Sequence, residues 1–211
     1  MAIKAVLSDL DGVLVRAPEI HRIALNEALH QIAHMRIPKY EHDSDFNGLP
    51  TRTKLTILVE QGRIREDQIE SIYHAKQNKT DRVIRETLKH DDAITNIGRY
   101  WKESGFMVAC VTNAIRSSST TMLTLCGIMP YVDWLVSNED VSAPKPSPEG
   151  YLKAMEHFGV LPEECIIIED APRGLEAARA SGCPNIWQVE GVDDVRVRGF
   201  RQFMRSIKSD T

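Results

Sequence analysis

Ala5-Val6-Leu7-Ser8-Asp9-Leu10-Asp11-Gly12-Val13-Leu14-Val15 is the stretch whose reading decides the fold. The apolar run from Ile3 to Leu7 reads as a fully buried strand. It ends in two carboxylates separated by one residue, followed by a glycine. In an open α/β sheet, chemistry sits outside the carboxyl ends of the strands, so Asp9 and Asp11 would be delivered to an active-site crevice. Gly12 permits a sharp backbone turn where a side chain would clash. If that turn begins at Asp11, one carboxylate acts on substrate while the other holds a proton or a metal. Read alone, Asp-x-Asp-Gly is equally a polar strand end followed by a turn, and the rest of the chain has to decide.

The chain has 211 residues, enough for one sizeable domain or for a domain with a smaller insert. Its 42% hydrophobic and 27% charged residues are those of a soluble globular protein. A formal charge of -4 argues against nucleic acid or a membrane surface as partner. No apolar run approaches the roughly 20 residues that a membrane span needs. No basic, apolar leader precedes the first strand, so no signal peptide is expected. Cys110, Cys126, Cys165 and Cys183 form no metal or redox motif, which fits a reducing cytoplasm, and Cys110 and Cys165 lie in apolar runs as buried thiols. The seven histidines share no metal-ligand spacing and read as surface residues.

Along the chain, Pro18 to Met35 carries helical periodicity, with Pro18 and Glu19 suited to a helix start. The polar segment 38–45 breaks it. Gly48-Leu49-Pro50 makes a turn, Thr51 is expected to cap a helix over Arg52 to Gln61, and helical pattern resumes from Glu66 to Leu88. From residue 89 the texture alternates. Helices are expected over Ile94–Ser104, Ser117–Leu125, Pro148–Phe158, Arg173–Ala180 and, in the tail, Val195–Ile207. Strands are expected over Phe106–Val111, Trp134–Val136, Cys165–Ile168 and Asn185–Val189. This order implies an α/β fold with a parallel sheet and helices on both faces. About 95 residues separate the first strand from the second, whereas a βαβ crossover needs only about 30. The surplus predicts an inserted all-helical domain over residues 16–88, with the core formed by 1–15 and 89–211. Insertion just after the Asp-x-Asp-Gly turn suggests a cap over the crevice.

Four strand ends then carry polar groups: Asp9 and Asp11, Thr112 and Asn113, a loop Ser142-Ala143-Pro144-Lys145-Pro146, and Glu169-Asp170. Each has an ordinary explanation by itself, as a cap, a loop charge or a turn. Together at one sheet edge they suit phosphoryl transfer. Asp9 would attack phosphorus to give an aspartyl-phosphate. The charge repulsion would be offset by Mg²⁺, held by Asp9, Asp170, the Asp11 carbonyl and, through water, Glu169. Lys145 would neutralise charge on Asp9 and the phosphoryl oxygens, and Thr112 would bind another phosphoryl oxygen through its hydroxyl and N–H. Asp11 would protonate the leaving alcohol and then deprotonate water.

The sequence resembles the haloacid dehalogenase superfamily in its phosphatase and β-phosphoglucomutase-like branch. The runs Asp9-Leu10-Asp11-Gly12-Val13-Leu14, Val111-Thr112-Asn113, Lys145-Pro146 and Glu169-Asp170-Ala171-Pro172-Arg173-Gly174 resemble its four motifs in order. Gly48-Leu49-Pro50-Thr51-Arg52 resembles the cap loop that reaches substrate in that branch, which makes Gly48 and Arg52 expected substrate contacts alongside Thr112, Asn113 and Lys145. The resemblance implies a Rossmann-like core sheet and a Mg²⁺-dependent phosphatase of a small phosphorylated metabolite such as a sugar phosphate; a monomer or small homo-oligomer is the expected state. Where many relatives place an acidic residue after the first motif, this chain has Val15-Arg16-Ala17-Pro18. Arg16 reads as a surface charge or as a cation for an anionic substrate.

Other functions compete for the same residues. A phosphomutase would need a second phosphate site, for which Arg52, Lys54, Lys76 and Lys79 are available unless they only face solvent. A dehalogenase needs no leaving-group acid, which Asp11 argues against. A phospho-accepting receiver domain has no helical insert after its first strand, and a carboxylate two residues from the acceptor would hasten loss of its phosphoryl group.

Overall fold

The computed structural model describes residues 2–46 and 48–209, and Asn47 of the quoted turn lies outside them. The chain divides into two compact units, Met1–Arg16 with Lys89–Thr211, and Ala17–Leu88. Each is described by itself.

Strand β1 (Ala5–Ser8) opens the first unit and is buried along its whole length, as its continuous apolar run requires of a strand covered on both faces. The chain then enters the helical unit, made of α1 (Pro18–Ala33), the single turn α2 (Lys39–Glu41), a π-helical turn His42–Phe46, α3 (Thr51–Glu60) and α4 (Ile69–Thr87). Helices α1 and α4 pack on each other. The core of this unit gathers Leu25, Leu29, Phe46, Leu55, Leu58 and Ile72. Asn26 stitches α1 to the following segment, its side chain donating to the Ile37 carbonyl at 2.9 Å and accepting from the Ile37 N–H at 2.7 Å.

Three features of this unit differ from the sequence reading. The polar segment 38–45 is not a simple break: Ile37 and Phe46 bury at its two ends, and the residues between them wind into helical turns. Thr51 is the first residue of α3 rather than its cap, because the extended backbone of Pro50 (φ -56°, ψ 146°) already turns the chain into the helix. His42 is not a surface histidine, being only 2% exposed.

The chain returns to the first unit through α5 (Asp92–Glu103), β2 (Met107–Val111), α6 (Arg116–Leu125), β3 (Trp134–Val136), α7 (Glu149–Phe158), β4 (Cys165–Glu169), α8 (Pro172–Ala180), β5 (Ile186–Gln188) and α9 (Val197–Ser209). Asp91 caps α5 by accepting from the N–H groups of Ala93 and Ile94 at 2.9 and 3.2 Å. The five strands form one sheet in the order β3-β2-β1-β4-β5, all parallel. This is the expected Rossmann-like α/β core, with β1 in the centre. The register sets Ser8 opposite Cys110 on one side and Ile168 on the other. The next residue of each strand, Asp9, Val111 and Glu169, therefore emerges at the same level of the sheet edge. Phe200 of α9 is fully buried in an aromatic cluster with Tyr100, Trp101, Phe106 and Trp187. All four cysteines are buried and free. Among the described residues no helix is long and apolar enough to cross a membrane.

Burial, with the Lys54 ammonium nearby, pushes His42 down from 6.5 to about 4. A folded pKa below the unfolded one gives stability that is present above the unfolded value and lost as pH falls through the folded value. The shift is worth roughly 3 kcal/mol. Denaturant unfolding between neutral pH and pH 4 should show the wild type losing about 3 kcal/mol more than His42→Gln. Equal losses in the two proteins would remove His42 as the cause.

Candidate active site

The site begins with the four residues that leave the carboxyl ends of the three central strands. Asp9 follows β1, and its N–H still pairs with the Ile168 carbonyl at 3.0 Å, so its side chain is aimed by a backbone that has not yet left the sheet. Gly12, at φ 92°, then takes the turn that L side chains avoid. Glu169 ends β4 and is 1% exposed; Asp170 follows it. Thr112 follows β2 and is 4% exposed.

Lys145 joins them. Its ammonium donates to Asp9 Oδ1 at 2.6 Å, to Glu169 Oε1 at 2.6 Å and to the Val111 carbonyl at 2.7 Å. An ammonium has three hydrogens, and here all three are committed. The sequence leads one to expect Lys145 on the phosphoryl oxygens as well as on Asp9. In this arrangement it acts on them through its charge, with no hydrogen left to give. Burial, which alone would lower its pKa, is outweighed by Asp9 and Glu169, so the group sits well above the ordinary lysine value and stays charged. For Asp9, burial raises the carboxyl and Lys145 pulls it back, while Glu169, Asp11 and Asp170 push it up; the balance lies well above the ordinary value. Asp170 is pushed up to about 6 by burial and then by Glu169.

Four carboxylates thus face one ammonium, an imbalance that a divalent cation would correct. The donor set fits such an ion. Asp9, Glu169 and Asp170 each offer an oxygen within 4.8 Å of the others. Oδ1 of Asp170 is buried without a hydrogen-bond partner among the described residues. All-oxygen donors suit a hard cation such as Mg²⁺. The backbone leaves room for these carboxylates by omitting side chains: a Cβ on Gly12 would lie 2.0 Å from Asp170 Oδ2, and one on Gly174 would lie 2.1 Å from the Glu169 carboxylate. Gly174 is in the first turn of α8, so Glu169 sits where a helix N-terminus favours negative charge.

The loop that carries Lys145 is held from both sides. The Asn113 side chain accepts from the Lys145 N–H at 2.9 Å and donates to its carbonyl at 3.2 Å. Asn113, expected as a substrate contact, uses its amide oxygen and one N–H to aim Lys145. Glu149, at the start of α7, accepts from the N–H groups of Ser142 and Ala143, and these bonds help hold its carboxyl at about 2. Thr112 uses its N–H on the Val136 carbonyl at 2.9 Å, and its Oγ1 accepts from the Ala114 N–H at 3.0 Å. Of the two donors expected there, only the hydroxyl hydrogen is available to a ligand.

Sequence reasoning passed over Glu149 and Tyr151. Tyr151 is fully buried, donates its hydroxyl to Glu169 Oε1 at 2.5 Å, and places its ring 4.9 Å from the Lys145 ammonium. Burial and then Glu169 raise its phenol well above the ordinary value, so it remains a donor. The signal was its position on an otherwise apolar helix face, one turn after Lys145-Pro146-Ser147-Pro148.

In the helical unit, Gly48 is exposed at φ 73°. Arg52 is exposed too, forks onto Glu70 and lies 4.2 Å from the Tyr73 ring centroid. Lys54 and Lys76 are not solvated, being 6% and 7% exposed, and Lys79 lies 3.8 Å from Glu27. Arg16 is a surface residue of the first unit, its guanidinium forking onto Asp193 at 2.5 and 2.8 Å.

A family model described as haloacid dehalogenase-like hydrolase matches residues 6–188. The chain is 29% identical over 188 residues to a phosphorylated carbohydrates phosphatase of Thermotoga maritima, covering 88% of this chain and 85% of that one. It is 28% identical over 189 residues to a phosphoglycolate phosphatase of Thiobacillus denitrificans, covering 87% and 82%. Among solved structures, the β-phosphoglucomutase of Clostridium difficile superposes with a TM-score of 0.81 at 19% identity, over 98% of this chain and 99% of that one.

Replacing the hub would strand two buried carboxylates. Lys145→Met is expected to lower unfolding free energy, measured in EDTA, by about 3–5 kcal/mol. A loss under about 1 kcal/mol would mean that the ammonium is not what compensates Asp9 and Glu169.

Proposed function

Because the chain belongs to the haloacid dehalogenase-like hydrolase family, we propose that it is a Mg²⁺-dependent phosphatase acting on a small phosphorylated metabolite, most simply a sugar phosphate or similar monoester. The observation that carries this reading is the clustering of Asp9, Glu169 and Asp170 around one committed ammonium, with an orphaned oxygen on Asp170. The names of the curated relatives supply the reaction class.

In this reading Asp9, Asp170, the Asp11 carbonyl and, through water, Glu169 would hold Mg²⁺, which would screen the repulsion between the Asp9 carboxylate and the phosphoryl group. Lys145 holds Oδ1 of Asp9 and its charge favours the ionised form against burial; the other oxygen of Asp9 is the nucleophile. That oxygen bonds to phosphorus as the bond from phosphorus to the substrate's alcohol oxygen breaks. Asp11 gives its proton to the departing oxygen. Water then enters; Asp11 takes its proton, the new oxygen bonds to phosphorus, and phosphate leaves Asp9 free. The Thr112 hydroxyl donates to a phosphoryl oxygen, which is the one direction in which its hydrogen is uncommitted. Asn113 contributes by holding Lys145.

We assign the role of a cap to the helical unit Ala17–Leu88 from its insertion directly after the Asp9–Gly12 turn. Its proposed contacts to substrate are Gly48 and Arg52, resting on the resemblance of that loop. Substrate contact by Arg52 would require it to leave or share Glu70.

Two expected outcomes test the reading. A panel of sugar phosphates and other phosphometabolites should release phosphate with Mg²⁺ and not with EDTA, for a few members only. If none releases phosphate but hexose phosphate isomerises when a bisphosphate is added, the chain is a mutase instead. Asp9→Asn should lower kcat by at least about 10³-fold, roughly 4 kcal/mol of barrier, with the circular dichroism spectrum unchanged. Retained turnover would sink Asp9 as nucleophile.

A further inference from the structure

We propose that Tyr151 is a positioning residue for Glu169: its hydroxyl fixes which oxygen of that carboxylate is presented to the cation. This rests on the Mg²⁺ reading above. Two donors converge on Glu169 Oε1, the Tyr151 hydroxyl at 2.5 Å and the Lys145 ammonium at 2.6 Å. They approach from different elements, α7 and the loop before it. The terminal torsion of a glutamate is otherwise broad, with the two oxygens readily exchanged. Two donors on one oxygen pin that torsion and leave Oε2 as the oxygen for a ligand. The third side is closed by α8, where the missing side chain of Gly174 gives the carboxylate its seat: a Cβ there would lie 2.1 Å from it.

Lys145 alone would not hold this orientation. Its other hydrogens go to Asp9 and Val111, so it follows β1 and β2 as much as β4. Tyr151 spends its one hydroxyl hydrogen on Glu169. A buried phenol needs some acceptor in any case, so the alternative is a core aromatic that happens to meet a carboxylate. Tyr151→Phe separates the two, because it keeps the ring, its packing and its face toward Lys145 and removes only the hydroxyl.

Calorimetric titration of Mg²⁺ into wild type and Tyr151→Phe provides the test without relying on turnover. Partners that orient metal ligands are worth about 10–100-fold in metal affinity, so the Mg²⁺ dissociation constant of Tyr151→Phe is expected to rise by at least about 10-fold. The kcat at saturating Mg²⁺ should change much less, by under about threefold, since the chemistry of Asp9 and Asp11 is untouched. A thermal midpoint in EDTA within a few degrees of wild type would accompany this. Equal Mg²⁺ affinity in the two proteins overturns the proposal for Tyr151 and leaves the phosphatase reading standing. A Mg²⁺ affinity unchanged alongside a lowered midpoint also overturns it, as the mark of a residue that only fills the core. No Mg²⁺ binding by the wild type would overturn the metal reading and this inference together.

Discussion

The buried ammonium of Lys145 is the interaction on which the active unit depends. It ties the ends of three adjacent parallel strands, through Asp9 after β1, the Val111 carbonyl of β2 and Glu169 of β4. A buried cation is costly unless every hydrogen finds an acceptor, and here each does. The register of the sheet makes this possible, since it brings the three acceptors to one level. The loop that carries Lys145 is in turn fixed by Asn113 and Glu149. The same few polar contacts therefore link the ends of the strands and aim the side chains of the candidate site.

The same arrangement leaves a charge problem. One ammonium cannot balance Asp9, Asp11, Glu169 and Asp170; burial raises the carboxyls of Asp9 and Asp170, and the neighbouring carboxylates add to it. The glycines at 12 and 174 let these groups approach, since any side chain at either position would strike a carboxylate. A fold that clears space for carboxylates to crowd together beside one ammonium suits the divalent ion and the anionic substrate proposed for it. Phosphoryl transfer needs both, because a carboxylate nucleophile must approach a group that already carries negative charge.

The parallel core was legible because parallel strands leave strong traces. Ala5 to Leu7 and Ile166 to Ile168 are continuous apolar runs, and the residues just past such a run, at the carboxyl end of a parallel sheet, face the crevice. Chain length between the first two strands led one to expect a helical insert, and Ala17–Leu88 forms a compact unit of its own. Where polar side chains spend their hydrogen bonds was not legible. Thr112 gives its N–H to β3, and Asn113 gives its amide to Lys145; both depend on which strand and loop lie alongside. Tyr151 looks like any aromatic on a helix face until β4 places Glu169 against it. His42 is buried although most of the polar residues on either side of it are exposed. These are tertiary facts, and local pattern carries no trace of them.

The central claim is that Asp9 carries the phosphoryl group. It is tested most directly by mixing Asp11→Asn protein with Mg²⁺ and a phosphorylated substrate, quenching in acid, and mapping phosphorylated peptides by mass spectrometry. Asp11 is the group assigned to activate water, so its loss should let the covalent intermediate accumulate. The account predicts a phosphoryl group on Asp9, absent when EDTA replaces Mg²⁺. Continued phosphate release with an unmodified Asp9 peptide at every quench time, and water oxygen passing directly into phosphate in a single turnover, would contradict it.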